Sequence, residues 1–260
     1  MKSTNHILDT ALEISDQAAE LIRISSKKIK SFKSKGEISN LVTQTDIEAD
    51  KLISSKIKES FPEHNIVSEE LGSNNLHSDY TWYIDPIDGT NNFVHNYPSF
   101  AVSIGIFYKD NPFAGVVYDI PNSEKYYALK NQGSYCNDSQ ISVSKTKQLK
   151  EGLFVTGFIP YDEKYIDKNL QIIKNINLNS HGVRRLGAAS LDMCHVAKGV
   201  LEGFWEYNLQ PWDTAAGNII VTEAGGTVSN DKNKNFDFGK CIIASNGKVH
   251  DEFVDIIQKS

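Results

Sequence analysis

The predicted fold is built around one segment, Trp82-Tyr83-Ile84-Asp85-Pro86-Ile87-Asp88-Gly89-Thr90-Asn91-Asn92-Phe93. It begins as a β-type run and then presents two aspartates three residues apart. Pro86 fixes its own φ and favours an extended conformation for the residue before it, which predicts that Asp85 ends the strand. Gly89 permits a backbone shape that a side chain would block, and Thr90 is a favourable helix N-cap. The stretch therefore predicts a strand, a turn that carries two carboxylates, and the start of a helix.

This predicted arrangement suits phosphoryl chemistry. Carboxylates are the ligands that hard divalent cations prefer, and the N–H groups at the start of a helix bind phosphate. One short segment thus offers both a metal-binding half and a phosphate-binding half.

The composition is that of an ordinary globular protein. The chain has 260 residues, of which 40% are hydrophobic and 23% are charged, enough for one large domain or two closely joined lobes. The formal net charge of −6 comes without a basic tract and argues against a general nucleic-acid binder.

Cysteine usage and hydropathy indicate the compartment. The three cysteines, Cys136, Cys194 and Cys241, are an odd number without CxxC spacing, which is typical of free thiols rather than of a disulfide framework or a zinc site. The N-terminal residues lack the apolar run of a signal peptide, and no stretch approaches membrane-spanning length. We expect a cytoplasmic enzyme with no membrane partner.

Three further acidic positions stand beside the starts or ends of predicted elements. Thr45 with Glu48 fits a capping box, which places Asp46 in the first turn of a helix. A short strand over 66–68 runs into Glu69 and Glu70, and if it ends beside the strand of Asp85, these carboxylates come together. Asp213 follows Pro211-Trp212 at the start of a helix of small residues. Each position alone also has an ordinary reading as a helix cap or a surface charge.

The rest of the chain predicts helices and strands in a mixed order. Residues 5–32 have the apolar spacing of an amphipathic helix, and 101–107, 113–118 and 126–129 predict an antiparallel meander. A second α/β portion begins near 152. The segment 182–191 resembles a glycine-rich loop that enters a helix reaching about 198. Its Arg184-Arg185 pair is open to a role in an interface, in substrate binding or in structural ion pairs.

Taken together and in order, these motifs resemble the inositol monophosphatase family of lithium-sensitive, magnesium-dependent phosphatases. The resemblance rests on Glu69-Glu70, Asp85-Pro-Ile-Asp88-Gly-Thr90 and Pro211-Trp212-Asp213, and it extends over nearly the whole chain. It implies an α/β fold, an αβαβα five-layer sandwich. It also implies a single domain over residues 1–260, with a metal and phosphate lobe to about 150 and a substrate lobe from about 151.

The resemblance also implies the site. Glu69, Asp85, Asp88 and Asp213 become side-chain ligands of two to three Mg²⁺ ions, and the carbonyl of Ile87 completes one position. The implied mechanism is direct in-line attack by a metal-activated water on the phosphate. The other implied roles are these: Thr90 orients the water, Asp46 and Glu69 serve as proton acceptors, the amides of Gly89 and Thr90 grip phosphate, and Gly187, Ala189, Glu206, Asp88 and Asp213 contact the substrate.

The expected substrate is a small phosphate monoester, myo-inositol monophosphate, and a homodimer inhibited by millimolar lithium is expected from the family. The runner-up is a sister phosphatase acting on 3′-phosphoadenosine 5′-phosphate, fructose 1,6-bisphosphate, NADP or histidinol phosphate. A non-catalytic metal-binding regulatory protein is a third alternative, and a structural Ca²⁺ protein is disfavoured by the predicted phosphate-binding helix start.

Overall fold

A computed structural model describes residues 6–26, 31–37, 40–158 and 163–260 of the chain. The helices in these residues are α1 (His6–Ser26), α2 (Gln44–Ser60), α3 (Thr90–His95), α4 (Glu163–Asn179), α5 (Ala189–Ala197), α6 (Pro211–Glu223) and α7 (His250–Lys259).

The strands of the first half are β1 (Phe32–Ser34), β2 (Leu41–Thr43), β3 (Asn65–Ser68), β4 (Gly72–Ser73), β5 (Tyr80–Asp88), β6 (Ala101–Tyr108), β7 (Asn111–Asp119), β8 (Glu124–Leu129), β9 (Ser134–Cys136) and β10 (Ser139–Ile141). Those of the second half are β11 (Phe154–Thr156), β12 (Val183–Arg184), β13 (Gly203–Tyr207), β14 (Thr227–Ser229) and β15 (Cys241–Ser245).

Two mixed sheets organise the protein. The larger has eight strands in the order β10-β9-β8-β7-β6-β5-β3-β4, and the smaller has five in the order β12-β11-β13-β15-β14. In the larger sheet β3 and β5 are parallel, and the pairs from β5 through β10 are antiparallel. In the smaller sheet β11 is parallel to both β12 and β13. Strands β1 and β2 form a separate hairpin.

The helices and sheets stack in five layers, which are held together by three hydrophobic cores. Helices α1 and α2 cover one face of the large sheet, where residues such as Ile14, Ile53 and Ile84 are buried together. Helices α5 and α6 lie between the two sheets. Helices α4 and α7 cover the outer face of the small sheet around Trp205 and Phe253. The αβαβα architecture expected from the sequence is therefore present.

Most of the predicted elements are confirmed, with shifted boundaries. The amphipathic helix predicted over 5–32 is α1, which ends at Ser26, and residues 27–30 lie outside the described part of the chain. The meander is confirmed as β6, β7 and β8. The helix predicted after the glycine-rich loop is α5, and Gly199 follows it with a φ of +75°.

Two paired glycines allow α6 to lie against the large sheet. Gly105 of β6 is opposite Gly115 of β7. A Cβ on Gly105 would stand 2.5 Å from the Cβ of Ala215 and 2.7 Å from the backbone nitrogen of Ala216. A Cβ on Gly115 would stand 2.7 Å from Cγ2 of Ile219. The bare backbone at this pair therefore sets how closely the helix approaches the sheet.

Among the residues that the structure describes, no helix has both the length and the apolar character needed to span a membrane.

Replacing Gly105 with alanine should separate α6 from the sheet, because the new methyl group overlaps helix backbone that cannot rotate away. We expect a loss of about 1–3 kcal/mol in the free energy of unfolding, the usual scale of overpacking. Urea denaturation measures it. Gly239→Ala is the matched control, since a Cβ there meets only Oδ1 of Asp237 at 3.1 Å. Equal stability of Gly105→Ala and the wild type would contradict the close-approach argument.

Candidate active site

The two aspartates of the motif lie at an irregular end of β5. The strand does not end at Asp85, as predicted, but continues to Asp88, with a register shift between the two residues where β5 pairs with β6. Oδ1 of Asp85 accepts a hydrogen bond of 3.0 Å from the amide of Ile87, within the turn that Pro86 starts. Asp85 is 3% exposed and Asp88 is 7% exposed. The irregularity therefore places two nearly buried carboxylates three residues apart.

Glu69 reaches the same place from the neighbouring strand. Because β3 runs parallel to β5, with Ser68 opposite Ile84, the residue after β3 emerges beside Asp85. The amide of Glu69 donates to the carbonyl of Ile84 at 3.1 Å, which fixes this continuation.

Lys35 contacts both glutamates of the Glu69-Glu70 pair. It lies in the loop between β1 and β2, and its Nζ is 2.9 Å from Oε1 of Glu69 and 2.5 Å from Oε1 of Glu70. Burial opposes the charged form of Lys35, but the two carboxylates outweigh it and raise its pKa. In this structure Glu69 is therefore neutralised by a cation of the protein itself.

Thr90 and Asp46 are hydrogen-bonded to each other. Oγ1 of Thr90 lies 3.0 Å from Oδ1 of Asp46 and 3.0 Å from the carbonyl of Ile87. The other carboxylate oxygen of Asp46 accepts from the amide of Thr43 at 2.9 Å and from its hydroxyl. Asp46 is fully buried, and this burial raises its pKa against the hydrogen bonds from Thr43 and Thr90.

The capping predictions for α2 and α3 were wrong. The N-cap of α2 is Thr43, which forms a capping box with Asp46, rather than Thr45 with Glu48. The N-cap of α3 is Gly89, at a φ of 89°, rather than Thr90. A Cβ on Gly89 would meet the carbonyl oxygens of Ser99 and Gly187 at 2.9 and 3.2 Å, so close packing as well as the positive φ favours glycine. Thr90 consequently keeps its hydroxyl free to bond Asp46.

Asp88 bonds the start of α5, a helix of the second half of the chain. Its carboxylate accepts from the amides of Ala189 and Ser190 at 3.2 and 2.7 Å and from the hydroxyl of Ser190 at 2.5 Å. The N-cap residue of α5 is Ala188, whose methyl side chain cannot cap. Asp88 supplies the missing cap from another element, and the amide of Ala189, predicted to face substrate, is donated to it.

Asp213 enters the site from the first turn of α6. Pro211 occupies the first position of that helix, where a missing N–H costs nothing, and Asp213 forms a capping box with Gln210. The backbone amide of Gln210 donates a hydrogen bond to Oδ2 of Asp213 at 2.7 Å, and Oδ1 of Asp213 takes no part in this bond.

These elements surround one cavity of about 460 Å³. Its lining includes the predicted site residues Glu69, Asp85, Ile87, Asp88, Gly89, Thr90, Gly187 and Asp213. It also includes Lys35, Phe158 and Arg185. Asp46, Ala189 and Glu206 lie behind this lining and are buried. The Glu206 carboxylate packs against Gly157, where a Cβ would stand only 2.3 Å from Oε2.

Burial and the repulsion between carboxylates both raise pKa values in and around the cavity. Burial, followed by the charges of Glu69, Asp88 and Asp213, raises the pKa of Asp85 well above its usual value. Burial and Asp88 do the same for Asp213. Burial raises the pKa of Asp88 to about 6 in spite of its bonds to α5, and that of Glu206 to about 8. The carboxylates are thus close enough to oppose one another's ionisation.

The donor set fits a hard divalent cation. Glu69, Asp85, Asp88, Asp213 and the Ile87 carbonyl offer only oxygen, which Mg²⁺ prefers, and their mutual repulsion is what a cation would relieve. Within the described residues no three acidic, histidine or cysteine side chains converge into a finished metal cage.

Comparison with known proteins gives consistent results. The model of the inositol monophosphatase family matches residues 3–260. The inositol-1-monophosphatase of Synechocystis sp. is 40% identical over 252 residues, covering 94% of this chain and 88% of the relative. A fructose-1,6-bisphosphatase/inositol-1-monophosphatase of Aquifex aeolicus is 34% identical over 263 residues, covering 100% and 98%. The crystal structure of the extragenic suppressor protein suhB from Bartonella henselae has a TM-score of 0.93 at 31% identity, covering 98% of this chain and 99% of that one.

Sequence reasoning missed two residues around the site. Ser190 binds Asp88, and a hydroxyl at the second position of a predicted helix was the available signal. Asp192, also on α5, is fully buried, and neither of its oxygens has a hydrogen-bond partner among the described residues. Burial, then Glu206 and Asp88, raise the pKa of Asp192 well above 3.8, while Arg185 opposes the rise. No local sequence pattern marks such a residue.

Asp192→Asn should stabilise the protein increasingly as the pH rises above the ordinary pKa of an aspartate. The folded state holds the Asp192 proton above pH 3.8 and the unfolded state releases it, so this group lowers the stability of the wild type as the pH increases. Asparagine has no such proton. Denaturation midpoints at several pH values measure the difference.

Asp255→Asn on the surface of α7, where Asp255 pairs with Lys259, serves as the control, with an expected effect within about 0.5 kcal/mol. A difference between Asp192→Asn and the wild type that stays constant from pH 4 to 8 would contradict the buried neutral carboxyl.

Proposed function

The chain belongs to the inositol monophosphatase family and is a phosphatase, and we propose that it hydrolyses myo-inositol monophosphate to inositol and phosphate with Mg²⁺ as cofactor. One observation carries this proposal. A single cavity is lined by four carboxylates, from Glu69, Asp85, Asp88 and Asp213, and by the hydroxyl of Thr90, which Asp46 bonds from behind.

The carboxylates would hold two to three Mg²⁺ ions. Asp85 would be the central ligand, because the charges of Glu69, Asp88 and Asp213 all act on it. The bound ions would supply positive charge that lowers the pKa of a water molecule and stabilises the attacking and leaving oxygens. Each carboxylate already has a fixed orientation through a hydrogen bond or ion pair of the protein.

Thr90 and Asp46 would orient the attacking water. The hydroxyl of Thr90 has one hydrogen, which its two acceptors, Asp46 and the Ile87 carbonyl, draw away from the cavity. A lone pair of Oγ1 would then accept a hydrogen from the water, whose oxygen would be free to attack the phosphorus in line. A proton can pass through Thr90 to Asp46, whose burial-raised pKa makes it a better acceptor. Glu69 is the alternative acceptor.

Substrate binding would use both halves of the chain. The amides of Gly89 and Thr90, at the start of α3, would grip phosphate oxygens. On the other side Gly187 lines the cavity and would contact the alcohol. Glu206 would support the alcohol side from behind the lining, where burial raises the pKa of its carboxyl to about 8 and a protonated carboxyl can both accept and donate hydrogen bonds. Residues up to about 150 would thus bind mainly metal and phosphate, and residues 151–260 mainly the alcohol.

Fructose 1,6-bisphosphate is a second candidate substrate. The name of the Aquifex aeolicus relative states both activities for that protein, and this chain matches it over 98% of its length. Homodimer formation, a cytoplasmic location and inhibition by lithium stay predictions from the family resemblance.

A panel of phosphate esters tests the proposed function. We expect phosphate release from myo-inositol 1-phosphate to require Mg²⁺, to stop with EDTA and to fall more than about 100-fold in Asp85→Asn, because even outer-shell changes at metal sites cost 10–100-fold. The panel includes fructose 1,6-bisphosphate, 3′-phosphoadenosine 5′-phosphate, NADP and histidinol phosphate, assayed by released phosphate. A strong preference for one of these four, or hydrolysis in EDTA, would overturn the proposal.

Thr90→Val and Thr90→Ser separate the hydroxyl from the shape of Thr90. Valine keeps the volume but removes the bond to Asp46, and we expect kcat to fall about 100-fold or more, the usual contribution of a group that positions or moves a proton. Serine keeps the hydroxyl and should retain kcat within about tenfold. Steady-state kinetics with saturating Mg²⁺ measure both variants. If Thr90→Val were as active as Thr90→Ser, Thr90 would have no part in orienting water.

A further inference from the structure

Arg185 places a positive charge on the cavity wall. It lies between β12 and α5, and its guanidinium carbon is 5.4 Å from the centre of the Phe158 ring, which also lines the cavity. Its Nη1 lies 2.6 Å from where a Cβ on Gly187 would stand, so the guanidinium covers the bare backbone of that glycine. The guanidinium therefore contacts the Phe158 ring on one side and the backbone of Gly187 on the other.

The charge of Arg185 is not consumed by an ion pair. In the described ranges 6–26, 31–37, 40–158 and 163–260, no carboxylate lies within ion-pair distance of its guanidinium. Asp192 and Glu206 interact with it only through longer-range electrostatics. The other cation of the lining, Lys35, is bound to Glu69 and Glu70. Arg185 thus has donors available in a cavity that otherwise presents mainly carboxylates.

Arg185 stands close to the proposed phosphate-binding turn. The carbonyl oxygen of Gly187, the residue it covers, lies 3.2 Å from where a Cβ on Gly89 would stand. Nδ2 of Asn92 holds this contact by donating at 2.8 Å to the carbonyls of both Ser99 and Leu186. Gly187 thus contacts both the guanidinium and the turn, and all three line the same cavity.

We propose that Arg185 extends the substrates of this site, beyond inositol monophosphate, to phosphomonoesters that carry a second anionic group, and that its guanidinium binds that group through paired N–H donors. The proposal rests on the proposed phosphatase function and identifies a substrate class for the same site. The planar fork of arginine matches phosphate and carboxylate groups, and bonds between charged partners are stronger than neutral ones. An uncharged polyol would gain much less from this side chain.

The neighbouring Arg184 provides a matched control. It carries the same charge one residue earlier and is exposed like Arg185, but it is not part of the cavity lining, and its Nη1 donates to the carbonyl of Val183 at 3.2 Å. Any effect of net charge on substrate attraction should appear equally in Arg184→Gln and Arg185→Gln. An effect of binding inside the cavity should appear in Arg185→Gln alone.

The test compares substrate pairs that differ only in the second anion: fructose 1-phosphate with fructose 1,6-bisphosphate, and inositol 1-phosphate with inositol 1,4-bisphosphate. For Arg185→Gln we expect kcat/KM to fall about 10- to 100-fold on the bisphosphates, mainly through KM, and to change less than about threefold on the monophosphates. Arg184→Gln should match the wild type on all four.

Three results would overturn the proposal. An equal loss on monophosphates and bisphosphates would mean that Arg185 acts on the scissile phosphate. A loss accompanied by a lower melting temperature would mean that it compensates the buried charges of Asp192 and Glu206. No loss on either bisphosphate would remove it from substrate binding.

Calorimetric titration of the wild type and both variants with the same four compounds separates this proposal from the proposed function. A wild type that releases no phosphate from any ester refutes the phosphatase activity. The ratio of bisphosphate to monophosphate affinities, compared between the wild type and Arg185→Gln, still decides the role of Arg185.

Discussion

The bond between Asp88 and the first turn of α5 is the interaction on which the site depends. A carboxylate from the end of β5 accepts two backbone N–H groups and a hydroxyl from a helix that begins a hundred residues later. Hydrogen bonds to a charged group contribute about 1.5–3 kcal/mol, and the helix dipole adds about 0.3–1 kcal/mol. The same carboxylate lines the cavity, so the bonds that hold the first turn of α5 in place also orient a proposed metal ligand.

The close approach of α6 to the large sheet is the second constraint. Gly105 and Gly115 leave the sheet surface bare where the helix crosses it, and the start of the helix brings Asp213 to the cavity. Asn92 adds a third link by holding the chain near Gly187 against the turn at Gly89. The carboxylates of the two halves therefore meet because the layers pack closely, and burial then raises the pKa values of Asp85 and Asp213 together.

Much of this arrangement could be predicted from sequence, because strand ends and helix starts leave local signals. The spacing of Asp85 and Asp88, the strand before Glu69 and the proline before Asp213 placed these residues at the ends of elements, and the structure brings those ends to one cavity. The capping predictions failed for two different reasons. Two threonines were candidates at the start of α2, where Thr43 forms the capping box with Asp46, and at the start of α3 the positive φ and the close contacts with Ser99 and Gly187 favour Gly89. Asp192 is buried without a hydrogen-bond partner among the described residues, and because tertiary packing causes this, no local sequence pattern predicts it.

The bonds of Asp88 bear on how transferable this site is. The DPIDGT motif reads as a self-contained cassette, yet its second aspartate takes its hydrogen bonds from Ala189 and Ser190. A shorter protein built from residues up to about 150 would keep the motif but would lack the hydrogen-bond donors that orient the carboxylate of Asp88. Grafting the activity onto another scaffold would require the opening turn of α5 and of α6 as well. The smallest transferable unit is therefore the motif together with the first turns of α5 and α6.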